Sequence, residues 1–226
     1  MKIFVIIPAF NEETMVAKVI SKIPRRLVGV GKVTTVVVDD GSTDLTSFEA
    51  RRAGATVIRH SVNCGLGGAL GTGFAYAKKN KADIVITMDA DGQHNPSDIL
   101  PMIKQINKKK VDVIIGSRMI AKQKMPLDRQ IINFLGNIAT YVLFGIWTSD
   151  SQSGMRAFTK KALDKIEIKT NRMEVSTEFF KEIKRNNLTF SEVAIKPIYT
   201  IYSRNKGQKN LNALDVFYKI FLSIAR

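Results

Sequence analysis

Two aspartates one residue apart, Asp89 and Asp91, follow directly on the apolar run Ile84, Val85 and Ile86 in the segment IVITMDADGQH, which continues through Gly92, Gln93 and His94. In an extended chain, positions two apart project to the same side, so both carboxylates face one way. Hard divalent cations take oxygen ligands, and a phosphate-bearing substrate supplies the rest of the coordination shell. The pair therefore reads as a Mg²⁺ or Mn²⁺ site holding a diphosphate. The plainer alternative is a solvated turn, because Asp and Gly favour turns in any case. On this pattern alone the two readings stand level, with one structural clue: consecutive apolar residues mark a strand buried on both faces. The carboxyl end of such a parallel strand is where an open α/β sheet places its ligand chemistry.

The rest of the chain has to supply that sheet. Residues 2–7, 33–38, 56–59, 84–88 and 111–116 read as strands. Between them, a helix from about residue 12 carries Val16, Val19, Ile20 and Ile23 and stops at Pro24. A second helix runs toward Ala53 and a third covers 69–79; a fourth opens at Pro96, Ser97 and Asp98 with the stripe Ile99, Leu100, Ile103 and Ile106. This alternation predicts a three-layer α/β/α sandwich on a mostly parallel sheet. Four loops then share one sheet edge: residues 8–13, 39–44 and 89–94, and Arg118. There Asp39 or Asp40 can accept hydrogen bonds from a nucleobase imide or a ribose hydroxyl, while Asp89 and Asp91 hold a cation bridging two phosphates. Each loop alone is ordinary turn and cap chemistry; their convergence raises the functional reading.

The glycine-dense run NCGLGGALGTG, residues 63–73, fits neither the dinucleotide nor the phosphate-loop fingerprint. Small residues there let a helix approach the sheet closely, although its amide groups remain a weak candidate for ligand contact. After Arg118 the pattern changes. A polar loop spans 121–128, and residues 131–147 are apolar but contain Asn133, Asn137 and Thr140. That stretch falls short of a comfortable membrane span and reads as a core or interfacial helix. The compact motif DSQSGMRAF occupies 150–158, a helix is expected over 172–185, a late strand over 190–195 and an extended continuation over 197–202. Residues 211–224 form an amphipathic stripe able to lie on a membrane, dimerise or dock on the domain.

Composition narrows the field. The chain has 226 residues with 35 Lys/Arg against 20 Asp/Glu, a formal charge of +15. From residue 196 onward six cations, Lys196, Arg204, Lys206, Lys209, Lys219 and Arg226, face one acid, Asp215. Such a surface suits an anionic membrane, and no zinc-finger or RNA-binding signature supports a nucleic-acid partner. One cysteine, Cys64, and two histidines, His60 and His94, argue against a disulfide framework and a cysteine- or histidine-rich metal site. No signal-peptide core opens the chain, so the catalytic part is expected in the cytoplasm.

PAFNEE at 8–13, VVVDDGSTD at 36–44, MDADGQHNP at 88–96 and GSR at 116–118 resemble family 2 glycosyltransferases with a GT-A fold. The motif at 150–158 is similar to the polyprenyl-phosphate branch, typified by dolichyl-phosphate mannose and glucose synthases. The resemblance implies a donor pocket lined by Pro8, Phe10, Glu12, Asp39 and Asp40, with Asp89, Asp91 and Gln93 around the metal and donor diphosphate. It implies Arg118 and Arg129 at the acceptor phosphate, and a basic loop carrying Arg204 and Lys209 that closes over the donor. Asp89, Asp91, Arg118 and Asp150 are the expected catalytic set, Asp150 either orienting an arginine or assisting the acceptor. Residues 1–118 would serve the nucleotide and 119–210 the acceptor within one catalytic domain, followed by the helix of 211–226.

Two departures qualify the resemblance. The Gln-x-x-Arg-Trp motif of processive synthases is absent, since Ile146 precedes the only tryptophan, Trp147, so transfer of a single sugar is expected. Only an amphipathic segment stands where many relatives carry membrane helices, so attachment to the cytoplasmic face of the cell membrane should be peripheral. The expected reaction moves one hexose from GDP-mannose, UDP-glucose or a UDP-N-acetylhexosamine to a polyprenyl phosphate, with inversion. Rival readings are a transferase acting on a protein or soluble glycan, a sugar-phosphate nucleotidyltransferase, and a membrane-associated scaffold; a homodimer is possible.

Overall fold

The computed structural model describes residues 1–120 and 127–198. Its axis is β1 (Lys2–Ala9), whose Ile3, Val5 and Ile7 enter one hydrophobic core while Phe4 and Ile6 enter another. That two-sided burial follows from the period of two along a strand and makes β1 a central strand of a three-layer domain. β1 pairs in parallel with β3 (Gly31–Asp39) and β5 (Ile84–Thr87), and β4 (Thr56–Arg59) pairs in parallel with β3. β2 (Arg26–Leu27) lies antiparallel on the same outer edge of β3. β6 (Val113–Ser117) pairs in parallel with β8 (Phe190–Ala194). Between β5 and β6 stands β7 (Arg156–Thr159), antiparallel to both. The sheet is therefore mixed, parallel from β4 through β3 and β1 to β5 and interrupted beyond it by the reversed strand β7.

One face is covered by α1 (Val16–Ser21), α2 (Thr46–Arg52) and α4 (Ile99–Lys109), through Val16, Val19, Ala50, Met102 and Ile103. The other carries α3 (Gly65–Lys79), α6 (Lys160–Lys165) and α7 (Val175–Arg185), where Phe74 meets Phe158 edge-on at 5.1 Å. α5 (Leu127–Phe144) sits against α7. No helix among the described residues is long and apolar enough to cross a membrane. The helix expected at 211–226, residues 121–126 of the expected loop 121–128 and residues 199–202 of the expected extended continuation lie outside the described residues, while 127–128 open α5 instead.

Helix boundaries shift from the sequence expectation at α5, which runs Leu127–Phe144, and at α7, which opens at Val175; at α1 and α3 the shift has an identifiable reason. α1 begins at Val16 because the chain near Glu12 is tied to another loop, the Glu12 amide donating to Thr46 Oγ1 at 2.8 Å. α3 begins at Gly65, where the Gly65 amide donates to Asp40 Oδ2 at 2.7 Å. Its glycines permit close approach, as expected: a Cβ on Gly67 would overlap the Thr170 carbonyl, and one on Gly73 would overlap Ile6 Cγ2. Ile6 is fully buried and cannot retreat. Gly73→Ala is therefore expected to lose about 1–3 kcal/mol of stability through overpacking, visible as a lower thermal midpoint, while activity per folded molecule stays unchanged.

Candidate active site

β1, β3, β5 and β6 run in one direction, so their carboxyl ends share a single edge. The loops after β1 and β3 are zipped together there. The Asn11 amide donates to Ser42 Oγ at 2.9 Å, the Thr43 amide to Asn11 Oδ1 at 2.9 Å, and the Leu45 amide to Glu13 Oε2 at 3.0 Å. Pro8 closes β1, Phe10 is exposed and Glu12 is buried.

Asp39 and Asp40 are both buried and engaged by protein donors. Asp39 accepts from the Ser42 amide at 2.9 Å and from the Ser47 hydroxyl, with Arg59 Nε 3.7 Å away. Asp40 accepts from the Cys64 and Gly65 amides and contacts His60 Nδ1 at 2.8 Å, while His60 Nε2 meets Thr72 Oγ1 at 2.9 Å. Asp40, His60 and Cys64 form a group whose potential ligand atoms lie within 4.8 Å of one another. Its geometry is that of a closed hydrogen-bond network fastening the β3 exit to the start of α3. A nucleotide contacting these two aspartates would share acceptors already in use.

The β5 exit is different. Asp89 keeps 43% of its side chain exposed. Its amide donates to His94 Nδ1 at 3.0 Å, which places the proton of a neutral ring on Nε2, 3.7 Å from Asp89 Oδ2. Asp91 accepts from the Gln93 amide at 2.9 Å and from Gln93 Nε2. Burial, with repulsion from Asp89 second, raises the Asp91 carboxyl above the ordinary carboxylate range, against the lowering pull of Gln93 and His94. Two carboxylates held close enough to repel, one of them partly open, suit a hard divalent cation. Gln93 turns its amide nitrogen to Asp91; turned over about its last torsion, it would offer oxygen to the same ion.

At the β6 exit, Asp150 is fully buried and grips Arg118 three times: the backbone amide at 3.0 Å, Nε at 2.8 Å and Nη2 at 2.7 Å. Of the two roles open to Asp150 in the sequence, the structure brings the first: it orients an arginine. The loop bearing Asp150 is fixed from three directions. Glu192 of β8 accepts from the Ser149 amide and from the hydroxyls of Thr148 and Ser149. Ser117 meets Ser149 at 2.6 Å, and Asn133 and Asn137 of α5 donate to the Ser149 carbonyl. The Arg129 side chain, Arg204 and Lys209 lie outside the described residues.

Sequence reasoning missed what lies beneath Asp89. Arg156, at the start of β7, is buried among Phe179, Phe180 and the carbonyls of Ser151 and Ser176, its guanidinium carbon 4.7 Å from the Phe179 ring centre. Burial lowers its pKa to about 10, opposed by the charges of Asp150 and Asp89. A cavity of about 20 Å³, large enough for one water, lies between Arg156, Asp89, Gly154 and Ser176. The only signal was an arginine following a Gly-Met pair inside a compact motif, and His94 was visible only as a neighbour of Gln93. Both underpin the carboxylate pair from below.

Comparison with known proteins bears on the chain as a whole. The model of the family described as glycosyl transferase family 2 matches residues 4–167. The UDP-N-acetylglucosamine–dolichyl-phosphate N-acetylglucosaminyltransferase of Methanococcus voltae is 34% identical over 97% of this chain and 95% of its own. An uncharacterized protein of Methanocaldococcus jannaschii, MJ1222, is 43% identical over 98% of this chain and 91% of its own. Among solved structures, glucosyl-3-phosphoglycerate synthase from Mycobacterium tuberculosis, in complex with Mn²⁺, UDP-glucose and phosphoglyceric acid, superposes with a TM-score of 0.70 at 18% identity, covering 97% of this chain and 79% of that one. At that identity the likeness speaks for the fold, the GT-A sandwich.

Proposed function

The chain belongs to glycosyl transferase family 2, and from that premise we propose that it moves one hexose from a nucleoside diphosphate sugar to a polyprenyl monophosphate, inverting the anomeric carbon. The observation that carries this reading is the Arg118 guanidinium, oriented by buried Asp150 at the same sheet edge as Asp89 and Asp91. A phosphate monoester is already anionic near neutral pH, its second pKa being about 6. It needs an oriented cation more than a general base, and the acceptor-side carboxylate is committed to Arg118 rather than to a substrate proton. The Methanococcus voltae relative, whose name specifies a dolichyl-phosphate acceptor, supports the same class.

Asp89, Asp91 and Gln93 would hold the divalent cation, Mg²⁺ or Mn²⁺, which when bound supplies Lewis-acid stabilisation of charge on the departing nucleoside diphosphate. Pro8, Phe10, Glu12, Asp39 and Asp40 shape the donor pocket, so residues 1–118 serve the donor and 119–210 the acceptor. Arg204 and Lys209 close over the donor. In support, the Ile198 amide donates to the Gln93 carbonyl at 2.8 Å, so the chain reaches this basic segment from beside the acidic turn. Arg129, in the first turn of α5, joins Arg118 at the acceptor phosphate. The enzyme works peripherally on the cytoplasmic face of the membrane, where a lipid acceptor meets a water-soluble donor.

The test is a donor panel of UDP-N-acetylglucosamine, UDP-glucose and GDP-mannose with a short polyprenyl phosphate and Mn²⁺ or Mg²⁺, products identified by mass. A polyprenyl-phosphate sugar with release of nucleoside diphosphate is expected; transfer only to sugar or protein acceptors, or release of pyrophosphate, would refute the reading. Arg118→Lys separates positioning from chemistry. Lysine cannot form the two-point contact with Asp150, so the acceptor KM is expected to rise about tenfold or more, as for loss of a charge-assisted bond, with the donor KM unchanged. Initial rates against each substrate check this.

A further inference from the structure

α5 is built inside out. Asn133, Asn137 and Thr140, spaced i, i+4 and i+7, form its buried stripe. Ile131, Phe134, Leu135, Ile138, Tyr141 and Val142 form the opposite stripe and are exposed, Val142 by 74%. Residues 130–148 contain no charged side chain. A surface helix of a water-soluble domain normally does the reverse, and a contiguous exposed apolar face marks an interaction site. The orientation has a local cause. The loop carrying Asp150 needs partners for its backbone, and Asn133 and Asn137 supply them at the Ser149 carbonyl and, through Asn137 Oδ1, at the Ser151 amide.

We propose that this outward face of α5 rests on an anionic lipid surface and sets the depth at which the acceptor arginine works. The inference rests on the lipid-phosphate reading above. A polyprenyl tail stays in the bilayer, because withdrawing it costs about 0.8 kcal/mol per methylene. Its phosphate therefore has to be met at headgroup depth. Arg118, the Asp150 loop and α5 are joined by hydrogen bonds into one unit, and exposed Met119 and Ile120 follow Arg118 directly. Charge is complementary. Between residues 118 and 129 the sequence carries Arg118, Lys122, Lys124 and Arg129 against Asp128 alone, within a chain of net charge +15. A cation-rich sequence leading into an uncharged apolar helix face suits anionic headgroups over acyl chains. At the far end Tyr141 packs edge-on against exposed Trp147 at 6.0 Å, an aromatic pair suited to the headgroup boundary.

The experiment uses the full chain and phosphatidylcholine–phosphatidylglycerol vesicles without substrate. Trp147 is the only tryptophan, so its emission reports directly on the face. Wild type is expected to co-sediment with the vesicles and shift its emission to the blue. The I138E/V142E variant, altered only at exposed positions, should lose vesicle affinity about 30-fold or more, as expected for two lost apolar contacts, and lose the blue shift. Its turnover of a short, water-soluble acceptor should equal that of wild type. Unchanged vesicle binding in the variant would overturn the proposal. So would a wild-type dimer without lipid that the variant dissociates, which would make a second copy the occupant. A lower thermal midpoint in the variant with vesicle binding intact would also overturn it, by showing that part of the same chain covers the face. Vesicle binding by this face, combined with a product that is not a lipid phosphate, would refute the lipid-phosphate reading and leave the surface standing.

Discussion

Replacing Asp91 with asparagine, or Asp89 with alanine, is expected to reduce turnover by about 10³-fold or more, the scale on which a lost transition-state electrostatic contact is felt, while the fold survives. The two substitutions should differ in stability. Burial and repulsion by Asp89 raise the Asp91 carboxyl above its ordinary range, so without a cation its ionisation costs the folded protein more than the unfolded chain. A neutral amide removes that burden, and Asp91→Asn should melt at the wild-type temperature or slightly above it. Asp89→Ala keeps the backbone amide that donates to His94 Nδ1, so His94 stays in place and the melting temperature should hold. Added Mn²⁺ should raise the thermal midpoint of wild type but of neither variant. A variant retaining more than a tenth of wild-type activity with saturating metal would remove that carboxylate from the site.

Those two aspartates were legible in sequence because their information is local: an apolar run, a period of two and a turn are all within reach of one short window. The same holds for the other strand exits. Arg118 was found for this reason, and Asp150 was found with its role left open between two. That role depended on which group came within 3 Å of its oxygens, and the answer is a residue 32 positions earlier. Asp39 and Asp40 illustrate the opposite limit. Their position at a strand exit was visible in the sequence, yet only the folded chain reveals that Ser42, Ser47, Cys64, Gly65 and His60 already engage them.

The fold divides along the same line. Alternating strands and helices through residue 117 could be read from apolar periodicity, and the three-layer sandwich follows from them. β7 could not, because four residues, RAFT, carry too little pattern to declare a strand, and their place between β5 and β6 is set by pairing partners far away in sequence. α5 is subtler. Both of its stripes are visible in the sequence, but hydrophobicity alone assigns the wrong one to the interior. The deciding demand is the unpaired backbone of residues 149–151, which only polar side chains can meet. The chain after β6 thus returns to insert a strand between β5 and β6, and it places Gly154 and Arg156 beside Asp89.

That insertion makes Gly154 the most informative position outside the carboxylates themselves. A Cβ added there would stand 2.6 Å from both carboxylate oxygens of Asp89. Unlike Ile6 above Gly73, Asp89 is partly exposed and its carboxylate ends a short side chain, so it can rotate out of the way at little energetic cost. Gly154→Ala should therefore leave the thermal midpoint within a few degrees of wild type, as expected for a change of about 1 kcal/mol or less. A displaced carboxylate would no longer converge with Asp91 on the proposed cation, and a misplacement of about 1 Å in a reacting constellation costs on the order of 10²-fold in rate. Turnover should fall by that factor, and the concentration of Mn²⁺ needed for half-maximal rate should rise with it. Gly73→Ala should do the reverse, losing stability and keeping its metal dependence. If Gly154→Ala behaved like Gly73→Ala, losing stability without any change in metal requirement, the glycine would be serving the packing of β7, and Asp89 would not depend on the strand beneath it for its aim.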